Sequence, residues 1–371
     1  MAVTTLRVGL IGAGFMGRTH VLGYALANRA FADVARLQLA AIAEISAEKA
    51  AAAGREFGIP RTTGHWRELV EDPGIDVVDI SVPTSLHMEI ALASVRAGKH
   101  VYCEKPLTPS VQGALEVTEA AESAGLKTQV GFNYLANPML EVARDLVAAG
   151  DLGDIYSYRG IHAEDYMSDP NGPLTFRHDP RGGGALADIG SHALATAEFL
   201  LGPITEVLGD SATLVGHRLD TDGKRRRVQV DDISRAFLRF SSGVSGSIEA
   251  NWCATGRKMQ HDFEIYGSRG ALLFSQERLN ELHLYESTGP TGLRGFRKIE
   301  CGPEHKPYDR FCTAPGHQIG FNELKAIEIG RFAAAIVGGG IEPFGFRQGY
   351  RVQCLVESIR DSSRTGHWTK V

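Results

Sequence analysis

No stretch of about 18 uncharged apolar residues occurs in this chain, so no membrane-spanning helix is expected. A basic excess is also missing. Lys and Arg number 39 against 44 Asp and Glu, a formal charge of −5, which argues against a nucleic-acid-binding groove. Cysteine is scarce and scattered. The five residues Cys103, Cys253, Cys301, Cys312 and Cys354 form no CxxC pair, a pattern expected of reduced thiols in a cytoplasmic protein. None of the 13 histidines belongs to an HExxH motif, and no structural or catalytic metal is expected. The opening MAVTTLRVGLIGAG lacks the basic, apolar and small-residue order of a secretory signal. Internal repeats and low-complexity tracts are absent.

What is present is a globular chain of 371 residues, 43% hydrophobic and 22% charged, a length that fits about two domains. Glycine is abundant at 43 residues, above the average of ~7%. Through residue 132, short apolar runs alternate with helical patterns. LRVGLI, LQLAAIA, VVDISV, HVYCE and KTQVGF read as buried strands; residues 15–30, 46–57, 85–98 and 109–125 read as helices. Such alternation predicts a doubly wound parallel sheet with helices on both faces. The texture then changes. Helices are predicted at 137–149, 184–201, 319–337 and 345–361. ISRAFLRF, VSGSIEANWCA, MQHDFEIYG, GALLFS and ELHLYE alternate between turn signals, as in an antiparallel sheet. Domains are therefore expected at 1–132 and 133–371. The basic run at 224–227 reads as a solvated hairpin end.

The segment Gly12-Ala13-Gly14-Phe15-Met16-Gly17 is a GxGxxG motif between a predicted strand and a predicted helix. Its first glycine permits the turn, its second lets a pyrophosphate approach the backbone, and its third lets helix and strand pack closely. Glu44 ends the second strand, where a carboxylate accepts from a ribose hydroxyl and repels a 2′-phosphate; NAD is expected over NADP. Pro83, Thr84 and His87 follow the third main strand, and Glu104 and Lys105 the next. All sit at the ligand edge of such a sheet and are assigned to the cofactor site. A lysine there can donate to an alkoxide that develops during alcohol oxidation. Asp188 and His192 lie four apart on a predicted helix, hence on one face. A histidine can take the hydroxyl proton as hydride leaves carbon. Gly190 between them suggests the close approach of another backbone or a ligand.

Four motifs in order, GLIGAGFMG at 9–17, EKPL at 104–107, GFNY at 131–134 and GGGALADIGSH at 182–192, resemble the glucose–fructose oxidoreductase/inositol dehydrogenase/MocA family. The resemblance implies a Rossmann domain followed by an α+β domain with a largely antiparallel open sheet that pairs subunits into homodimers or homotetramers. It implies a catalytic set of Lys105, Asp188 and His192, with Asn133 lining the substrate pocket. Within the family, DYMSDPNGPLTFR at 165–177 and GFNELKAIEIGRF at 320–332 are similar to levoglucosan dehydrogenases, which oxidise a C3 hydroxyl with NAD. Tyr134, Asp165, Tyr166, Arg177 and His317 are the further pocket residues this implies. Phe176 stands where that branch often carries Trp, and Leu135 where it often carries Arg. The expected activity is NAD-dependent oxidation of a secondary hydroxyl of a sugar, anhydro-sugar or inositol. The alternatives are a glycosidase that uses transient internal oxidation and a non-catalytic NAD-binding regulator. Ile248, Ala250 and Trp252 could face a partner subunit or cover helices of their own chain.

Overall fold

The computed structural model describes residues 3–338 and 344–371. The first element, β1 (Thr5–Ile11), is an apolar run buried on both faces, and α1 (Phe15–Ala30) follows the glycine-rich turn. Next come β2 (Arg36–Ala43), α2 (Ala47–Phe57), β3 (Arg61–Thr63), α3 (Trp66–Glu71) and β4 (Val77–Ile80). The series closes with α4 (His87–Arg96), β5 (His100–Cys103), α5 (Val111–Ser123) and β6 (Thr128–Val130). Local chemistry sets several of the ends. Ser46 caps α2 by accepting from the Lys49 N–H, and Gly58 ends it at φ 70°. All strand pairs are parallel, in the order β3-β2-β1-β4-β5-β6. This is the dinucleotide-binding order, with its ligand crevice beyond the carboxyl ends of β1 and β4. Every apolar run read as a strand in this part is one. The short elements β3 and α3 carry no hydrophobic pattern long enough to show in the sequence.

Beyond these lie α6 (Pro138–Ala148), β7 (Ile155–Ala163), α7 (Ser191–Leu201) and β8 (Ile204–Ala212). A hairpin of β9 (His217–Leu219) and β10 (Arg225–Arg227) follows, with all three arginines exposed. Then come β11 (Ile233–Phe240), β12 (Ser245–Asn251), β13 (Gln260–Gly267), β14 (Gly270–Ser275), β15 (Glu281–Glu286) and β16 (Arg297–Glu300). Helices α8 (Phe321–Ile336) and α9 (Phe346–Thr365) and the short β17 (Thr369–Lys370) finish the chain. The nine-stranded sheet is antiparallel except where β7 and β12 run parallel. One face is covered by its own chain: Ile248, Ala250 and Trp252 are at most 2% exposed. They therefore cover their own interior and are no pairing surface. The opposite face carries the ion pairs Arg235–Glu249 and Arg239–Glu206 and an exposed Phe237.

The chain divides into two units, residues 1–136 with 319–351, and 137–318 with 352–371. The expected boundary at 132/133 is close to the first division. Helix α8, however, clusters with the first unit, whereas the sequence reading grouped it with the C-terminal part. Among the described residues no helix is long and apolar enough to cross a membrane.

Candidate active site

The glycine-rich turn has the shape its motif requires. Gly12 has φ 100°, and a Cβ there would lie 2.7 Å from the Ser81 carbonyl oxygen. A Cβ on Gly17 would lie 2.2 Å from the Gly12 oxygen, so α1 presses directly on the loop. Gly14 is the opposite case, with no atom within 4 Å of the added carbon. Only there does the backbone present itself for the approach of a diphosphate, at the positive end of α1. The Glu44 carboxylate accepts from the Ala13 N–H at 2.7 Å and from the Ile45 N–H at 2.9 Å. It is thus drawn to the rim of the turn, where a ribose would follow the diphosphate. Phe15 is 71% exposed beside the turn, and Met16 is half-buried. Pro83 and Thr84 stand at the end of β4, with Thr84 opening a single 3-10 turn. These residues fit a bound NAD. His87 does not face a ligand: it is 1% exposed, with its ring nitrogens 2.8 Å from the Pro106 and Val82 carbonyl oxygens. Its ring ties the two cofactor-edge loops together.

Lys105 is half-buried on the turn after β5, and its N–H donates to its neighbour Glu104 at 3.2 Å. Glu104 is itself buried in an ionic cluster that the sequence reading missed. His20 donates from Nδ1 to Asp79 at 2.8 Å and from Nε2 to Glu104 Oε1 at 2.8 Å. Two carboxylate partners require both ring nitrogens to be donors. Burial is the largest single influence and pushes the His20 imidazole down; Asp79 and Glu104 together outweigh it and hold His20 up at about 9. Lys325, from α8, is wholly buried and reaches Glu104 Oε1 at 3.0 Å, Glu328 at 2.8 Å and the Tyr102 oxygen at 2.7 Å. Burial works against the Glu104 carboxylate, yet Lys325 and His20 hold its pKa well below the usual range. The only sequence signals were a histidine three places after Gly17 and an i,i+3 Lys–Glu pair, which ordinarily reads as a solvated helix face.

The GFNY segment follows β6. Asn133 is 3% exposed, and its Nδ2 is buried without a hydrogen-bond partner. A buried, unsatisfied donor costs about 1–3 kcal/mol, a cost that a ligand oxygen would remove. Tyr134 and Phe15 both lie against Phe321 of α8, with ring centroids 6.2 and 6.5 Å away.

In the second unit the predicted single helix at 184–201 is broken in character. Residues Leu186–Gly190 form a π-turn that leads into α7, a device frequent at functional sites. Gly184 has φ 103°, and Asp231 receives the Leu186 N–H at 2.6 Å, which fixes where the turn begins. A Cβ on Gly190 would lie 2.8 Å from the Ala250 Cβ, so the close neighbour anticipated there is β12. Asp188 Oδ2 accepts from Tyr166 Oη at 2.8 Å and from Arg177 Nε at 2.9 Å. The Arg177 guanidinium lies 5.7 Å from the Tyr166 ring centroid and 4.7 Å from that of Phe176.

His192 is 6% exposed, with its ring 5.6 Å from His162 and 6.2 Å from His261. Those two histidines were not anticipated, because they lie on β7 and β13, far apart in sequence. His162 Nε2 lies 2.9 Å from Glu164, His162 Nδ1 lies 3.0 Å from His261 Nδ1, and His261 Nε2 lies 3.1 Å from Thr196 Oγ1, so these side chains form one hydrogen-bonded chain. Burial and the neighbouring His162 push His261 well below the usual histidine range. Asp165 and His317 stand apart from the group around Asp188 in their hydrogen bonding. Asp165 pairs with Lys258 at 2.7 Å and the Gly256 N–H at 3.0 Å; His317 is exposed, and its carbonyl receives the Tyr308 hydroxyl. Among the described residues no group of three or more His, Cys, Asp or Glu is placed to hold a metal ion.

A Rossmann unit with a diphosphate-ready turn and a second unit with an Asp–His helix define a nicotinamide-dependent oxidoreductase by class. Residues 6–132 match the oxidoreductase family with an NAD-binding Rossmann fold, and residues 140–273 match the GFO/IDH/MocA C-terminal domain. The chain is 36% identical to levoglucosan dehydrogenase of Pseudarthrobacter phenanthrenivorans, covering 99% of this chain and 98% of that protein. A solved levoglucosan dehydrogenase in complex with NADH and levoglucosan superposes with a TM-score of 0.95 at 37% identity, covering 99% of each chain. An NAD-binding oxidoreductase from Klebsiella pneumoniae superposes equally well, with a TM-score of 0.95 at 36% identity and 99% coverage of each chain. The chain belongs to the GFO/IDH/MocA family of NAD-binding oxidoreductases.

Proposed function

We propose that this protein oxidises a secondary hydroxyl of a sugar, anhydro-sugar or inositol to a ketone, with a levoglucosan-like C3 hydroxyl as the leading case. The observation that carries the reading is the Asp188–His192 helix start. One carboxylate is held by Tyr166 and Arg177, and the histidine one turn later is buried beside a hydrogen-bonded histidine pair. Similarity to levoglucosan dehydrogenase over nearly the whole chain supports the substrate class.

When bound, NAD supplies the hydride acceptor. His192 takes the hydroxyl proton. Lys105 donates to the oxygen as negative charge develops on it. Asp188, with Tyr166 and Arg177 already on one oxygen, orients His192 or a substrate hydroxyl. Asn133 offers its unpaired amide to a substrate oxygen. The exposed sheet face around Phe237 is the surface we assign to self-association into a homodimer or homotetramer.

The test is NADH absorbance with NAD and a panel of levoglucosan, glucose and inositols. A substrate-dependent rise is expected. Lys105→Ala and His192→Asn should each lower turnover by about 100-fold or more while NADH still binds. Near-normal turnover in either variant would remove that residue's role. Tight NADH binding without any net oxidation across the panel would favour internal redox glycosidase chemistry.

A further inference from the structure

Lys105 lies on a turn whose anchoring carboxylate is gripped by groups far along the chain. Its N–H rests on Glu104 Oε2, and the other oxygen of that carboxylate is held by two buried cations, His20 Nε2 at 2.8 Å and Lys325 Nζ at 3.0 Å. The two cations come from distant parts of the first unit. His20 is on α1, the helix that opens at the glycine-rich turn. Lys325 is on α8, more than 200 residues further along the chain. Behind them, Asp79 on β4 fixes His20, and Glu328 fixes both Lys325 and the Tyr102 hydroxyl. The carboxylate also serves the other pocket segment. A Cβ on Gly131 would lie 2.4 Å from Glu104 Oε1, so Glu104 forms the floor on which the turn carrying Asn133 rests.

This is an expensive arrangement. Two cations and three carboxylates lie out of water, and buried ion clusters are poor stabilisers compared with apolar packing. Their value lies in geometry: a carboxylate gripped on one oxygen by two fixed donors leaves the other oxygen in a single direction. We propose that His20 and Lys325 are positioning residues for Lys105, acting through Glu104 to set the turn that presents the Lys105 ammonium and to tie that turn to the cofactor-binding helix. The inference deepens the proposed function and rests on its reading that Lys105 acts in turnover.

The experiment is a double-mutant cycle on the full chain. Lys325→Met, combined with Glu328→Gln to remove one charge of each sign, is measured in the native and Lys105→Ala backgrounds. In the native background kcat should fall by about 100-fold, the scale of a catalytic group displaced by about 1 Å, while NADH affinity from fluorescence titration changes less than about threefold. In the Lys105→Ala background the same pair of changes should have little further effect, because a residue that acts through another loses its influence when that other is gone. A purely structural role would give equal fold-losses in both backgrounds, or none in a folded protein, and either result overturns the proposal. If the paired variant does not fold, Tyr102→Phe decides. It deletes one hydroxyl contact of Lys325, and a roughly tenfold loss of kcat at unchanged NADH affinity supports the proposal, whereas unchanged kcat overturns it. Full turnover by Lys105→Ala alone is a separate failure, that of the role proposed for Lys105 itself.

Discussion

Glu44 shows how one side chain can serve two purposes. Its carboxylate closes the glycine-rich turn by accepting the Ala13 and Ile45 N–H groups, and the same negative charge lies where a 2′-phosphate would sit. Glu44→Ala should therefore reduce the preference for NAD over NADP by about tenfold or more, equivalent to ~1.4 kcal/mol. The ratio of kcat/KM with the two cofactors is the measurement, and an unchanged ratio would remove Glu44 from cofactor choice. His87 teaches the opposite lesson. Its place beside Pro83 made a ligand role reasonable, yet both ring nitrogens meet backbone carbonyls. Position at a sheet edge does not tell which way a side chain turns.

The turn between β1 and α1 separates folding from binding at adjacent glycines. Gly12 has φ 100° and no space for a Cβ, whereas Gly14 has space on all sides. Gly12→Ala should destabilise the protein by about 1–3 kcal/mol through backbone strain. Gly14→Ala should leave the melting temperature nearly unchanged yet weaken NADH binding by tenfold or more, because the added methyl occupies the line of approach to the backbone. Thermal melts beside fluorescence titrations check both, and a Gly14→Ala protein with full NADH affinity would overturn the assignment of the turn. The π-turn at Leu186–Gly190 belongs to the same scale. A spacing of four residues between Asp188 and His192 was legible. The widened turn was not, because it depends on Asp231 and on β12 pressing against Gly190.

Buried histidines of opposite character give the whole molecule a two-sided pH response. His20, held up at about 9 by Asp79 and Glu104 together against the larger single effect of burial, lies above its unfolded value of ~6.5. Its contribution to stability is complete below about pH 6.5 and is lost as the pH rises through about 9. Burial and the neighbouring His162 lower His261, so the folded chain resists protonating it. Below about pH 6.5 the unfolded chain takes up a proton that this ring refuses, and stability falls. Melting curves across about pH 5–10 should peak near neutrality, dropping several degrees on each side. His20→Gln should flatten the alkaline arm; an arm that keeps its slope would assign it to other groups.

By itself, the sequence determined what short-range periodicity can carry. The parallel sheet, the glycine-rich turn with Glu44, the strand-end Lys105 and the Asp188–His192 spacing all arise within a few residues, where backbone geometry maps directly onto residue pattern. Only the tertiary structure decided what faces what. Lys325 and Glu328 read as an ordinary helix-surface pair until α8 buries them against Glu104 and Tyr102. His162 and His261 became partners of one another only when β7 and β13 paired. Such contacts depend on burial, and burial is a property of the assembled chain. A charged side chain follows the same local rules whether it ends in water or, as in the cluster behind Lys105, in the interior.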